Sequence, residues 1–171
     1  GITGAQAVPD ALLACACARE MGIPVYEIKQ ALASARQAHM RQEQRITPAG
    51  TRIIDDSYNA SPDSMAAALD LLCSLPCDGS RIAVLGEIGE LGDEGPRLHA
   101  LVGAYAAAKK PDLLVCVGDK NAQCMADAAL TMGMPAAAVR VMPDADRALR
   151  RLKDALGPRD LVLVKASRFV G

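Results

Sequence analysis

RIAVLGEIGELGDEG, Arg81 to Gly95, reads as one complete strand-to-helix unit. The run Arg81-Ile-Ala-Val-Leu85 is continuously apolar after its first residue and too short for a buried helix. Glycines at 86, 89 and 92 then allow a tight loop, and Asp93 and Glu94 supply the acidic first turn that a helix dipole favours. The following PRLHALVGAYAAA has helical composition throughout. A strand that is apolar on both faces belongs inside a sheet covered on both sides.

The same unit recurs along the chain. Apolar runs stand at Arg52–Asp55, Asp112–Val117, Ala138–Val141 and Asp160–Lys165, with helical stretches predicted at 62–75, 93–109, 121–132 and 143–156. Alternation of this kind predicts an α/β fold with a mostly parallel sheet and helices on both faces. In such sheets ligands sit beyond the carboxyl ends of the strands. Four polar loops occupy that position: DDSYNASPDSM (Asp55–Met65), GEIGELGDEG, VGDKN (Val117–Asn121) and KASR (Lys165–Arg168). Upstream, residues 5–22 and 25–35 read as two helices, stopped at Gly22 and Pro24, and residues 36–45 read as a polar connection. Two helices without a sheet cannot build much of a core.

Composition narrows the function. The chain has 171 residues, no Trp, one Phe and three Tyr, so its core must come from Ala, Leu, Val, Ile and Met. A net charge of −1, with both signs interspersed, gives no electrostatic case for nucleic acid. No apolar run reaches membrane-spanning length, and the expected location is cytoplasmic. Six cysteines and two histidines show no zinc spacing, and the thiols are expected to be reduced, buried, small hydrophobes.

Each polar loop has a plain structural reading beside a chemical one. Ser61 is a good N-cap, Pro62 fits the first helical turn and Asp63 complements the dipole. That leaves Asp55, Asp56, Ser57, Tyr58 and Asn59, which either form a turn through their own side chains or hold a ribose, a metal-bound phosphate or an amine. The Gly86–Gly92 loop fails as a dinucleotide fingerprint: the second glycine should stand at 88, where Ile88 is found, and Glu87, Glu90, Asp93 and Glu94 would repel a pyrophosphate. Lys165, Ser167 and Arg168 could grip a phosphate or carboxylate, or simply end a strand in solvent. His99 has no neighbouring nucleophile or carboxylate and reads as a helix-surface or packing histidine. No phosphate loop of the G-x-x-x-x-G-K-[ST] type occurs in the chain.

Together, IIDDSYNASPDSM, RIAVLGEIGELGDEGPRLH, LLVCVGD and LVLVKASR resemble, in order and spacing, the C-terminal half of a Mur ligase, most closely the D-alanyl-D-alanine-adding type. That type commonly reads DDSYNANPDSM, VLGDMxELG, VGxxA and LVKGSR. The resemblance covers roughly residues 41–168. It implies a Rossmann-like C-terminal domain over 46–171, preceded over 1–45 by the helical tail of an ATP-binding central domain. It implies ATP and Mg2+ as cofactors, held mainly by that central domain. D-alanyl-D-alanine and UDP-MurNAc-tripeptide are the implied substrates, joined through an acyl phosphate. Asp56, Lys165 and Ser167 take catalytic positions in the resemblance; Arg41, Asp56 and Asn59 take nucleotide-side positions; Tyr58, Ser61, Lys165, Ser167 and Arg168 take substrate-side positions. Met40, Ser61 and Ala166 depart from the family's Gly, Asn and Gly. On this reading the chain is a fragment, inactive alone. A non-catalytic binding module derived from such a ligase, or another amide ligase of the superfamily, is the alternative.

Overall fold

The continuously apolar runs assemble into one six-stranded sheet in the computed structural model, which describes residues 7–36 and 38–170. The chain divides into two units, Gly1–His39 and Met40–Gly171. The first holds α1 (Ala7–Glu20) and α2 (Val25–Ser34), and neither helix buries a residue. Their ends follow the predicted stops at Gly22, which has a φ of +79°, and Pro24. Residues 5 and 6 of the predicted first helix lie outside the described residues.

The second unit runs β1 (Glu43–Ile46), β2 (Arg52–Asp55), α3 (Pro62–Ser74), β3 (Arg81–Gly86), α4 (Gly95–Lys109), β4 (Leu113–Val117), α5 (Lys120–Thr131), β5 (Val139–Met142), α6 (Ala145–Leu152) and β6 (Leu161–Lys165). Strand order is β1-β2-β6-β3-β4-β5. Every neighbouring pair is parallel except β1 with β2. The last strand in the chain therefore lies between β2 and β3, pairing Ile54 with Leu163 on one side and Ala83 with Leu163 on the other.

Strand β1 is absent from the sequence-based expectation, which read its residues as a polar connection. Its sequence, EQRI, is polar because it sits at the sheet edge and exposes three of its four residues. Backbone pairing to β2 holds it, and polar side chains on an edge discourage further pairing. Helix α6 is shorter than predicted, with turns from Lys153 replacing its last segment.

Alternation along the strands divides the core. Ile54, Leu163, Ala83, Leu114 and Cys116 face α3, α4 and α5 in the larger cluster. Val115 and Val117 face α6 through Ala148 and Leu152 in a thinner one. Helices thus cover both faces. The cysteines are all free, but only Cys116 is buried; Cys17 is exposed and the other four are partly covered, so the expectation of buried thiols holds for one residue. Helix α1 buries nothing, which leaves Cys17 open. Burial pushes the Cys116 thiol up to about 12. Alkylation of the native chain at pH 8 should therefore mark Cys17 and spare Cys116 until denaturant is added, as peptide mass mapping would show. Comparable native labelling of both would contradict the burial.

Candidate active site

The two acids at the end of β2 have different tasks. Asp55 forms a local turn, its Oδ1 accepting from the backbone N–H of Ser57 at 3.2 Å and from the Ser57 hydroxyl at 2.6 Å. Asp56 turns inward, 6% exposed, and pairs with Lys165 at the end of β6: Nζ to Oδ2 is 2.8 Å. Lys165 is itself only 2% exposed. Its ammonium also donates to the backbone carbonyls of Asn59 at 2.9 Å and of Asp56 at 3.4 Å. All three N–H donors are thus committed to the DDSYN loop. Burial lowers the Lys165 pKa, Asp56 opposes that shift, and the positive charge of Arg41 adds to it. Asp56 Oδ1 takes no hydrogen bond among the described residues and is not sealed from solvent, so one carboxylate oxygen remains available as an acceptor.

Ser167 lies 4% exposed on the same side, accepting from the Gly89 N–H at 2.9 Å and donating to the Ala60 carbonyl at 3.5 Å. Asn59 is exposed, and its side-chain oxygen accepts from the Ala60 N–H at 2.8 Å. Ser61 caps α3 as expected, in a reciprocal box with Ser64, and its hydroxyl is committed there. Arg41 is exposed and lies over the Tyr58 ring, 4.3 Å from its centroid. Arg168 is exposed at the start of a short 3-10 turn and is joined to none of these by a hydrogen bond or ion pair among the described residues. Asp56, Asn59, Lys165 and Ser167 therefore form one connected group, Arg41 and Tyr58 stand beside it, and Ser61 and Arg168 are outside it.

At the carboxyl ends of β3 and β6 the two following segments close on each other. Ser167 N–H donates to the Glu87 carbonyl at 3.1 Å. A Cβ at Gly86 would stand 2.6 Å from the Ala166 Cβ, so the glycine there serves chain-to-chain approach.

Two residues in this region make bonds that no local sequence pattern announces. Glu87 Oε1 accepts from the backbone N–H groups of Asp119, Asn121 and Ala122 at 3.0, 3.0 and 3.1 Å, so it caps α5 from another loop. A capping residue is recognisable when it precedes its own helix; one arriving 34 residues earlier leaves no local signal. His99 is fully buried, and its Nε2 accepts from the Ile88 N–H at 2.8 Å while Nδ1 faces the Gly95 carbonyl at 2.6 Å. That pair of partners puts the ring proton on Nδ1 and ties the glycine loop to α4. Of the two readings offered for His99, packing is the one realised.

Among the described residues no three His, Cys, Asp or Glu side chains gather at one point, and no helix is long and apolar enough to cross a membrane.

The family model described as Mur ligase, glutamate ligase domain matches residues 40–168, and the chain belongs to the Mur ligase family as its C-terminal domain. It is 35% identical over 189 aligned residues to the UDP-N-acetylmuramoyl-tripeptide–D-alanyl-D-alanine ligase of Mycobacterium bovis, spanning 100% of this chain and 37% of that protein. The Bacillus subtilis ligase of the same name is 34% identical, covering 98% of this chain and 36% of its own length. The chain thus spans little more than a third of the curated relatives it matches. A crystal structure of MurF from Acinetobacter baumannii superposes with a TM-score of 0.83 at 32% identity, over 99% of this chain and 36% of that one. The MurF ligase of Thermotoga maritima in complex with ADP shares the fold, with a TM-score of 0.78 at 22% identity over 99% of this chain and 36% of that one.

Proposed function

We propose that this chain is the C-terminal part of an ATP-dependent ligase that joins D-alanyl-D-alanine to UDP-MurNAc-tripeptide, in the cytoplasm. The observation that carries the reading is similarity along the whole chain, first unit included, to ligases of that name. The first unit, residues 1–39, is on this reading the helical tail of the ATP-binding domain, while residues 40–45 lead into β1 and go with the sheet. ATP is taken as co-substrate, its phosphate loop lying outside these 171 residues. Mg2+ is taken with it, held mainly by the same ATP-binding domain.

In the proposed reaction the tripeptide's terminal carboxylate takes the γ-phosphoryl group and ADP leaves. The dipeptide amine then attacks the acyl carbon, the C–O bond to phosphate breaks, and the amine loses a proton. The chemistry is mostly positioning and charge stabilisation. The open oxygen of Asp56 is suited to accept an N–H of the incoming amine. Lys165 and Ser167, both committed internally, act by fixing the loop that carries Asp56. Asn59 and Arg41 face the nucleotide side, Arg168 the substrate side, and Ser61 contributes through its cap.

The test is phosphate release by the full-length protein containing this chain. Release should depend on D-alanyl-D-alanine, and Asp56→Asn should lower kcat at least tenfold while ADP binding is kept. Dipeptide-independent release, or full activity of Asp56→Asn, would sink the reading.

A further inference from the structure

Arg41 has an unusual setting. Both its neighbours adopt left-handed backbone angles, Met40 at φ 57° and Gln42 at φ 56°, although neither is glycine. Non-glycine residues hold that conformation only where the surroundings over-determine it. Here the Tyr58 N–H donates to the Met40 carbonyl at 3.1 Å and the Met40 N–H donates to Glu43 Oε2 at 3.3 Å, pinning the segment from both sides. Tyr58, 44% exposed, then offers its ring face to the Arg41 guanidinium. Arg45 takes the nearby carboxylates of Glu43 and Asp55, at 2.9 and 3.6 Å. Among the described residues no carboxylate pairs with Arg41. An exposed cation held over an aromatic ring, with the adjacent acids neutralised by Arg45 and Lys165, is poised for an oxyanion.

We propose that Tyr58 is a positioning residue whose ring holds Arg41 ready for a polyphosphate anion, with the backbone strain at Met40 and Gln42 fixing the guanidinium over that ring. The ligand class rests on the ligase reading above; the platform role does not. A ring face loses nothing essential when its hydroxyl is removed, whereas an aliphatic side chain offers no quadrupole to the cation.

The probe is inorganic tripolyphosphate, titrated into the 171-residue chain at low salt while the Arg41 Nε–H signal is followed by NMR. In the free chain that signal should carry a ring-current shift, kept in Tyr58→Phe and lost in Tyr58→Leu. Tripolyphosphate affinity should fall about three- to fivefold in Tyr58→Leu and stay unchanged in Tyr58→Phe. Arg41→Ala should weaken binding further, and adding Tyr58→Leu to it should change nothing more. Three results each overturn the proposal: wild-type affinity in Tyr58→Leu, an equal loss in Tyr58→Phe, or additive losses in the double variant. Failure of dipeptide-dependent phosphate release by the full-length protein would remove the ligase reading and leave this titration intact, so the two fail separately.

Discussion

Gly103→Ala should lower the thermal midpoint of the chain by about 5 °C or more, a change opposite in sign to the usual effect of that substitution in a helix. On an exposed helix, replacing glycine by alanine stabilises by about 1 kcal/mol. Gly103 lies buried in α4, where a Cβ would stand 1.9 Å from the Met125 carbonyl oxygen of α5 and 3.0 Å from its Cα. Both obstacles are backbone, which no rotamer change can clear. The helices would have to part by about 1 Å, and because only backbone movement can relieve the clash, the cost lies at the upper end of the usual overpacking range, about 3 kcal/mol or more. Packing therefore outweighs propensity, by about 2 kcal/mol net. A domain of this size moves its midpoint roughly 2–4 °C per kcal/mol. Circular dichroism melts of the two proteins decide it: an unchanged or raised midpoint would mean that α4 and α5 do not approach this closely.

The second large effect belongs to the Asp56–Lys165 pair. Lys165→Met removes the cation and leaves a buried carboxylate, which costs about 3–5 kcal/mol. Asp56→Leu in the same chain removes that carboxylate, and the double variant should regain much of the loss. Recovery should stop short of wild type by about 1–2 kcal/mol, because the Asn59 and Asp56 carbonyls have then lost their donor. Urea titrations of the four proteins give the coupling directly; additive losses would show that the pair does not interact in solution. The lysine also leaves a signature in pH. Burial lowers its folded pKa below the unfolded 10.5, so between those values the unfolded chain binds more protons. Stability from this group should therefore rise with pH across that alkaline window, and Lys165→Met should flatten the slope.

These two sites mark the limits of what the sequence reveals. The apolar runs at Arg81–Leu85 and Asp112–Val117 announced buried parallel strands, because a strand covered on both faces has no alternative composition. Ser61 and Pro62 announced the start of α3, because a cap acts on its own neighbours. Asp55 and Asp56 look alike in the sequence, yet one closes a turn and the other meets a lysine 109 residues away. That meeting depends on β6 entering beside β2, a fact of strand order that no local pattern encodes. Gly103 carries no local signal for the same reason: its necessity comes from a helix that follows it in the chain. Strand β1 hid because edge strands are held by backbone bonds, and Glu87 because it caps a helix it does not precede.

The placement of β6 has a consequence for synthesis. Until Leu161–Lys165 is made, β2 and β3 have no common neighbour, and each presents an open row of backbone donors and acceptors toward the gap. Strand β6 is translated after both of its neighbours, so until then the half-made sheet is two separate edges with nothing to pair them. Completion thus depends on a late, long-range insertion, the slowest kind of contact for a chain to make and the one that leaves nascent protein longest exposed to mispairing.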